Sequence, residues 1–365
     1  MKNLFDKTRV KNLELKNRFI RSALWMKMAD EDGHINENLI KVYEGLAKGG
    51  AALIITGYAF ISKDEQPNSR MVGIYDDLFI EEHRTLVERV HKEGSKIALQ
   101  IVLGGSQSHH PDAKTMNILG PSAIKNRVTG LTPREVSKEE LKEITKKFAD
   151  AAERAKLAGY DAVQIHSAHG YFLSQFLTPY YNRRTDEYGG SIQNRVRIIY
   201  EVVEAVKERV GRDFPIMIKL NFDDFMDEGE GLKEAEALEV FKKLDEIGLD
   251  IIEVSAVNES SGKGLAPART SINSLDKQSY FREATARIAE EVKAKVILMG
   301  GNRNVSLMSE ILNTTAIEYV SIARPLLCEP DLINKWAENS EYRSKCISCN
   351  KCWETEPNSC IFNRK

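Results

Sequence analysis

No run among the 365 residues approaches the roughly 20 apolar residues that a membrane helix needs. Nor is one sign of charge in excess: 52 Lys and Arg against 54 Asp and Glu leave a formal net charge of −2. The basic field that nucleic acid or anionic lipid would demand is therefore missing. The opening residues, MKNLFDKTRV, lack the apolar core of a secretory signal. Cysteine is scarce, five in all, and four of them fall between 346 and 360. That excludes a disulfide framework for the body of the chain and points to a local metal or redox site. No Pro/Ser-rich linker or composition break divides the sequence. These absences leave a cytosolic protein whose partner is a small molecule.

What is present is core material, 42% hydrophobic residues, arranged in a repeating pattern. Short β-rich runs are expected at 18–22, 52–56, 96–103, 162–166, 215–220, 251–255, 295–299 and 319–323. Amphipathic helical patterns such as 139–158 and 194–210 separate them. Glycines at Lys48-Gly-Gly, Ala158-Gly and Ile247-Gly mark helix ends, because glycine adopts the left-handed turn without a Cβ clash. Eight βα units with apolar strands predict an α/β fold, a (β/α)8 TIM barrel, over a doubly wound open sheet. The barrel is expected to occupy 1–340, with 341–365 as a Cys-rich extension packed on it. Long insertions at 104–136 and 167–190 follow strands, on the face where barrels place their sites.

That face filters the candidates. The strand ends carry Ser22, Gly57, Gln100, His166, Lys219, Ser255, Gly300-Gly301 and Ala323-Arg324. Gly300, Gly301 and Arg324 follow the last two strands, where backbone N–H groups and a guanidinium suit a phosphate; a tight turn and a surface ion pair are the plain alternative. Lys219 needs an anionic partner, either a ligand or Asp223 or Asp224. Gln100 suits a pyrimidine-type edge or strand-end backbone. His109 and His110, in the first insertion, read as solvated loop residues. His166 and His169, in QIHSAHGY, leave a strand end with no evident third metal ligand, so hydrogen bonding or a buried structural role remains for them.

The stretch HSAHGYFLSQFLTP at 166–179 continues through NRRTDEYGGSIQNR at 182–195, with LKNR at 15–18, GGAALIITG at 49–57 and ARPLL at 323–327. Together these segments resemble the Old Yellow Enzyme family of FMN-dependent oxidoreductases over nearly the whole chain. The resemblance implies FMN over the barrel mouth, with Ser22, Ala23, Leu24, Gly57 and Gln100 at the ring. Lys219 would face N1, and Gly300, Gly301, Ala323 and Arg324 would hold the phosphate. It also implies that His166 and His169 bind the oxygen of an activated alkene, that Tyr171 donates the proton, and that NAD(P)H is the reductant. The sequence departs from the family at Trp25, where relatives often have Thr or Cys, and after Gln100, where IVLGGS replaces a His-Ala-Gly-Arg motif.

Cys346, Cys349, Cys352 and Cys360 form a C-x2-C-x2-C-x7-C pattern. It suits a [4Fe–4S] cluster better than zinc or free thiols, while Cys328 reads as packing. The pattern resembles the cluster segment of the 2,4-dienoyl-CoA reductase branch, with tighter spacing. That branch carries further flavin and NADPH domains; with the chain ending at Lys365, any cluster is expected to be structural or to be fed by a separate electron-donor protein. An ene reductase is the leading expectation. A partner-fed dienoyl-CoA or steroid reductase and a non-catalytic electron-transfer subunit are the alternatives, and a homo-oligomer is left open.

Overall fold

The computed structural model describes residues 1–263 and 265–364. All eight expected strands form: β1 Phe19–Arg21, β2 Leu53–Ile55, β3 Lys96–Val102, β4 Ala162–Ser167, β5 Ile216–Asn221, β6 Ile251–Ser255, β7 Lys295–Leu298 and β8 Tyr319–Ile322. Each pairs in parallel with the next, and β8 pairs back to β1 through Val320 opposite Phe19. The ring is closed, so the open-sheet alternative is excluded. Eight principal helices surround it: α1 Glu37–Lys48, α2 Ile80–Lys92, α3 Lys138–Leu157, α4 Arg197–Val210, α5 Glu234–Glu246, α6 Arg282–Glu291, α7 Val305–Thr314 and α8 Leu332–Glu338.

Local chemistry fixes the helix ends. Ser137 and Glu140 form a reciprocal capping box that starts α3, satisfying two backbone N–H groups that the helix would otherwise orphan. Gly159 and Gly248, at φ 91° and 82°, reverse the chain after α3 and α5 as expected from their positions. Among the described residues, no helix is long and apolar enough to cross a membrane.

Period-two alternation divides the strands between two environments. Outward residues such as Ile54, Leu99, Val163, Ile218, Ile252 and Val254 pack under the helices in one continuous shell. Inward residues form layers. The lower layer is apolar, with Leu53, Ala98, Ala162, Met217, Ile251, Ile297 and Tyr319, and an N-terminal hairpin (Thr8–Val10 with Leu13–Leu15) plugs it from below. One step higher the inward positions turn polar: Gln100, Gln164, Lys219, Glu253 and Ser321, all buried. The site sits on that polar floor.

After α8 the extension lies against the barrel mouth. Asn358 donates its backbone N–H to Met26 O at 3.0 Å and its side-chain amide to Trp25 O at 2.6 Å. Arg303 donates to Cys346 O at 2.8 Å, and Lys27 donates to Trp353 O at 3.1 Å.

Candidate active site

A cavity of about 470 Å3 opens at the C-terminal ends of the strands, within the usual range for small-molecule sites. Ser22, Ala23, Leu24, Gln100, Lys219, Gly300, Gly301, Ala323, Arg324, His166, His169 and Tyr171 all line it. Gly57 does not. Its N–H is taken by the Tyr43 hydroxyl at 2.8 Å, and a Cβ there would meet Leu24 O at 2.8 Å. Its neighbour Tyr58 faces the cavity instead.

At the floor, Glu253 is fully buried and accepts from Ser22 Oγ at 2.6 Å, Ser321 Oγ at 2.8 Å and Gln164 Nε2 at 3.0 Å. Lys219 Nζ lies 3.4 Å from Glu253 Oε2, the oxygen that Gln164 meets, and donates to Ser22 Oγ at 3.0 Å. The buried cation thus pairs with Glu253, and neither Asp223 nor Asp224 serves it. Burial opposes ionisation of Glu253, but Lys219 and these hydrogen bonds outweigh it and hold the carboxyl below its ordinary range. Gln100 gives its amide N–H to Gln164 Oε1 at 2.6 Å, leaving its own Oε1 buried with no protein partner.

On one wall, His166 Nδ1 accepts the Ala168 N–H at 3.3 Å, so the neutral ring carries its proton on Nε2. His169 sits at φ 62°, a left-handed turn that a non-glycine residue adopts at a cost. Its Nε2 is 2.7 Å from Ser255 Oγ, which leaves Nδ1 as the nitrogen available to a ligand. The two rings stand nearly perpendicular, with centroids 5.2 Å apart. Burial, and then Lys219, lowers His166 to about 3; burial, His166 and Lys219 lower His169 as well. Both rings are neutral at ordinary pH, and His169 donates from Nδ1 when the Ser255 hydroxyl turns from Met299 Sδ, 3.0 Å away, to donate to His169 Nε2. Tyr171, 4.9 Å from the His166 ring, is pushed by burial up to about 12, so its proton is retained.

Several lining residues were given no site role by the sequence, Tyr58, Asn68, Glu259 and Arg303 among them. Tyr58 Oη lies 3.3 Å from Tyr171 Oη and accepts from Asn68 at 3.1 Å. Trp25 stacks on Tyr58 at 6.5 Å and narrows the aromatic wall. Glu259, at the mouth, takes a hydrogen bond from Gln107 at 2.6 Å and lies 3.7 Å from His109. His109 stands at the cavity mouth with its side chain 45% exposed to solvent, and His110 is not among the lining residues. Arg303 joins Arg324 at the far end, and its Nε is buried without a partner. Its signal was visible in MGGNRN.

Behind Arg324 a much smaller cavity of about 20 Å3 is lined by Cys346, Cys349, Cys352 and Cys360. Among the described residues, no three His, Cys, Asp or Glu side chains converge on a single-ion site. Cys328 is buried beside this group. Asn350 bridges the two cavities, accepting from Arg324 and donating to Ala268 O at 2.8 Å.

The chain is 33% identical over 351 residues to an NADH oxidase of Thermoanaerobacter brockii, covering 95% of this chain and 53% of that one. It is 33% identical over 327 residues to an NADPH dehydrogenase of Clostridium acetobutylicum, covering 90% and 92%. The chain thus spans about half the length of several curated relatives it matches. Its fold superposes on a 2-naphthoyl-CoA reductase with a TM-score of 0.91 at 21% identity, over 99% of this chain and 57% of that one. Residues 3–342 match the model of the NADH:flavin oxidoreductase / NADH oxidase family, and the chain belongs to that family, the one that includes the Old Yellow Enzymes.

Proposed function

We propose that the chain is an FMN-dependent ene reductase that reduces an activated alkene with NAD(P)H. One observation carries this reading: a single cavity joins a cation-and-amide floor, an arginine-lined end and a wall of two neutral imidazoles with a tyrosine. The residues fit FMN. Gln100 Oε1 is a buried acceptor awaiting an imide-type N–H, Lys219 supplies positive charge mid-floor, and Arg303 Nε and Arg324 suit a phosphate. When bound, FMN would supply hydride transfer between nicotinamide and alkene.

This chain's residues then do the rest. His166 Nε2 and His169 Nδ1 orient the substrate oxygen and stabilise the charge that develops on it. Tyr171 holds a proton near the adjacent carbon and delivers it as general acid. Trp25 and Tyr58 exclude water along one side. Protein purified with FMN should be yellow, bleach anaerobically with NADH or NADPH, and recolour on adding an enone. A protein that takes up no FMN would sink the reading.

The cysteines favour a second component. Four thiols line one small cavity, and their C-x2-C-x2-C-x7-C order suits a [4Fe–4S] cube better than a tetrahedral zinc. Their closeness to Arg324 supports electron entry from a partner protein as an alternative to direct NAD(P)H use. Iron and sulfide analysis of anaerobically purified protein distinguishes cluster from zinc. Bleaching by nicotinamide alone distinguishes a self-sufficient enzyme from a partner-fed one.

A further inference from the structure

We infer that Glu253 sets the reduction potential of the flavin site by neutralising Lys219, an inference that rests on the flavin reading above. Lys219 and Glu253 occupy the same inward layer of neighbouring strands β5 and β6, directly opposite in register. Glu253 has no exposed surface, and its partners come from four other places in the ring: Ser22 after β1, Gln164 on β4, Lys219 on β5 and Ser321 on β8. Gln164 Nε2 and Lys219 Nζ are donors only, so the group they meet must accept, as an ionised carboxylate does. The floor beneath the cavity therefore holds a cation and an anion side by side.

The consequence is electrostatic. Reduction places negative charge at the N1–C2 edge of an isoalloxazine, and a lone buried ammonium facing that edge would stabilise it strongly. Glu253 cancels much of that field and keeps the reduced ring a stronger hydride donor. It also fixes where Lys219 and Ser22 stand, and through Gln164 it fixes the Gln100 amide, leaving Gln100 Oε1 open to the ring. Arg21, the other fully buried cation nearby, makes its contacts with Ser22 O and, at 3.6 Å, Met26 Sδ. Among the described residues, no carboxylate lies within ion-pair distance of it, and Glu253 acts on it only through space.

The test is potentiometry of FMN-loaded wild type, Glu253→Gln, Lys219→Met and the double variant, which needs no alkene. Glu253→Gln should move the midpoint potential positive, changing the oxidised-to-reduced equilibrium at least about tenfold, near 30 mV for a two-electron couple. Lys219→Met should move it negative, and the double variant should return towards wild type. A merely structural role would weaken FMN binding without opposite shifts. If Glu253→Gln does not load with FMN, the double variant carries the test, since it leaves neither charge unpaired: a potential as negative as that of Lys219→Met alone overturns the inference. An unshifted Glu253→Gln potential overturns it too while leaving the flavin reading intact. Wild type that binds no FMN overturns both.

Discussion

His166 and His169 show how single residues divide the work. Both rings are neutral, yet each is held by a different nitrogen, through the Ala168 N–H and the Ser255 hydroxyl, so one presents Nε2 and the other Nδ1 to the cavity. His166→Ala should abolish the long-wavelength band that a bound phenolate gives with oxidised flavin, while FMN stays bound. Its alkene reduction should fall about 10²–10³-fold, as for loss of one oxyanion donor; an unchanged phenol titration would refute the assignment. Tyr171→Phe should slow reoxidation by an enone about 10²-fold or more while leaving reduction by NAD(P)H unaltered, as resolved by stopped-flow measurement of each half-reaction. A residual rate is expected because Tyr58 lies 3.3 Å away with its own hydroxyl. The histidines and Tyr171 were legible because they sit in one continuous motif. Tyr58, Glu253, Asn68 and Glu259 were not, because each looks ordinary in its own segment and gains meaning only from neighbours on other strands.

At the scale of elements, the extension and the last two βα loops behave as one piece. Arg303 reaches Cys346 O and Ser348, Arg324 reaches Asn350, and Asn358 fastens the segment to the backbone of Met26 and Trp25. The arginines proposed for the phosphate are thus positioned partly by residues at 346–350. A chain truncated after residue 343 should bind FMN at least about tenfold more weakly in a fluorescence-quenching titration, since two guanidiniums lose hydrogen-bonded support. Equal affinity would show that the extension merely covers the site. The strands themselves were legible in sequence to within a residue or two, since runs such as Ile251-Ile252-Glu253-Val254-Ser255 are too short and β-branched for helix. Gly57 marks the limit of such reading. A glycine at a strand end reads equally as close approach to a ligand or to backbone, and here Leu24 O takes the space.

Across the whole molecule, the buried titratable groups predict a stability optimum. Burial lowers His83 to about 4 and His166 to about 3, and lowers His169 as well, whereas an unfolded ring titrates near 6.5. Below about pH 6.5 the unfolded chain binds more protons than the fold, so stability should decline as the pH falls towards those lowered values. Glu65 acts in the opposite direction. Burial raises it to about 8 where it accepts the Gly105 N–H, so the fold keeps a proton that the unfolded chain releases above roughly 4.3. Stability should therefore also decline as the pH rises towards 8. Thermal unfolding across pH should give a maximum between these limbs. Glu65→Gln should raise the melting temperature more at pH 8.5 than at pH 5.5, and the reverse order would refute this role.

By itself the sequence determined the ring of eight βα units, the end of the barrel where chemistry gathers and the segment that carries the histidines and tyrosine. Each of these is encoded by local periodicity or a contiguous motif, and local patterns survive being read one segment at a time. Only the tertiary structure decided that Lys219 answers to Glu253 rather than to Asp223 or Asp224, and that Tyr58 and not Gly57 meets the cavity. It also decided that the cysteine segment shares its arginines with the main site. Those outcomes depend on which side chains converge across strands distant in sequence, and closing the barrel is the step that brings them within hydrogen-bonding reach.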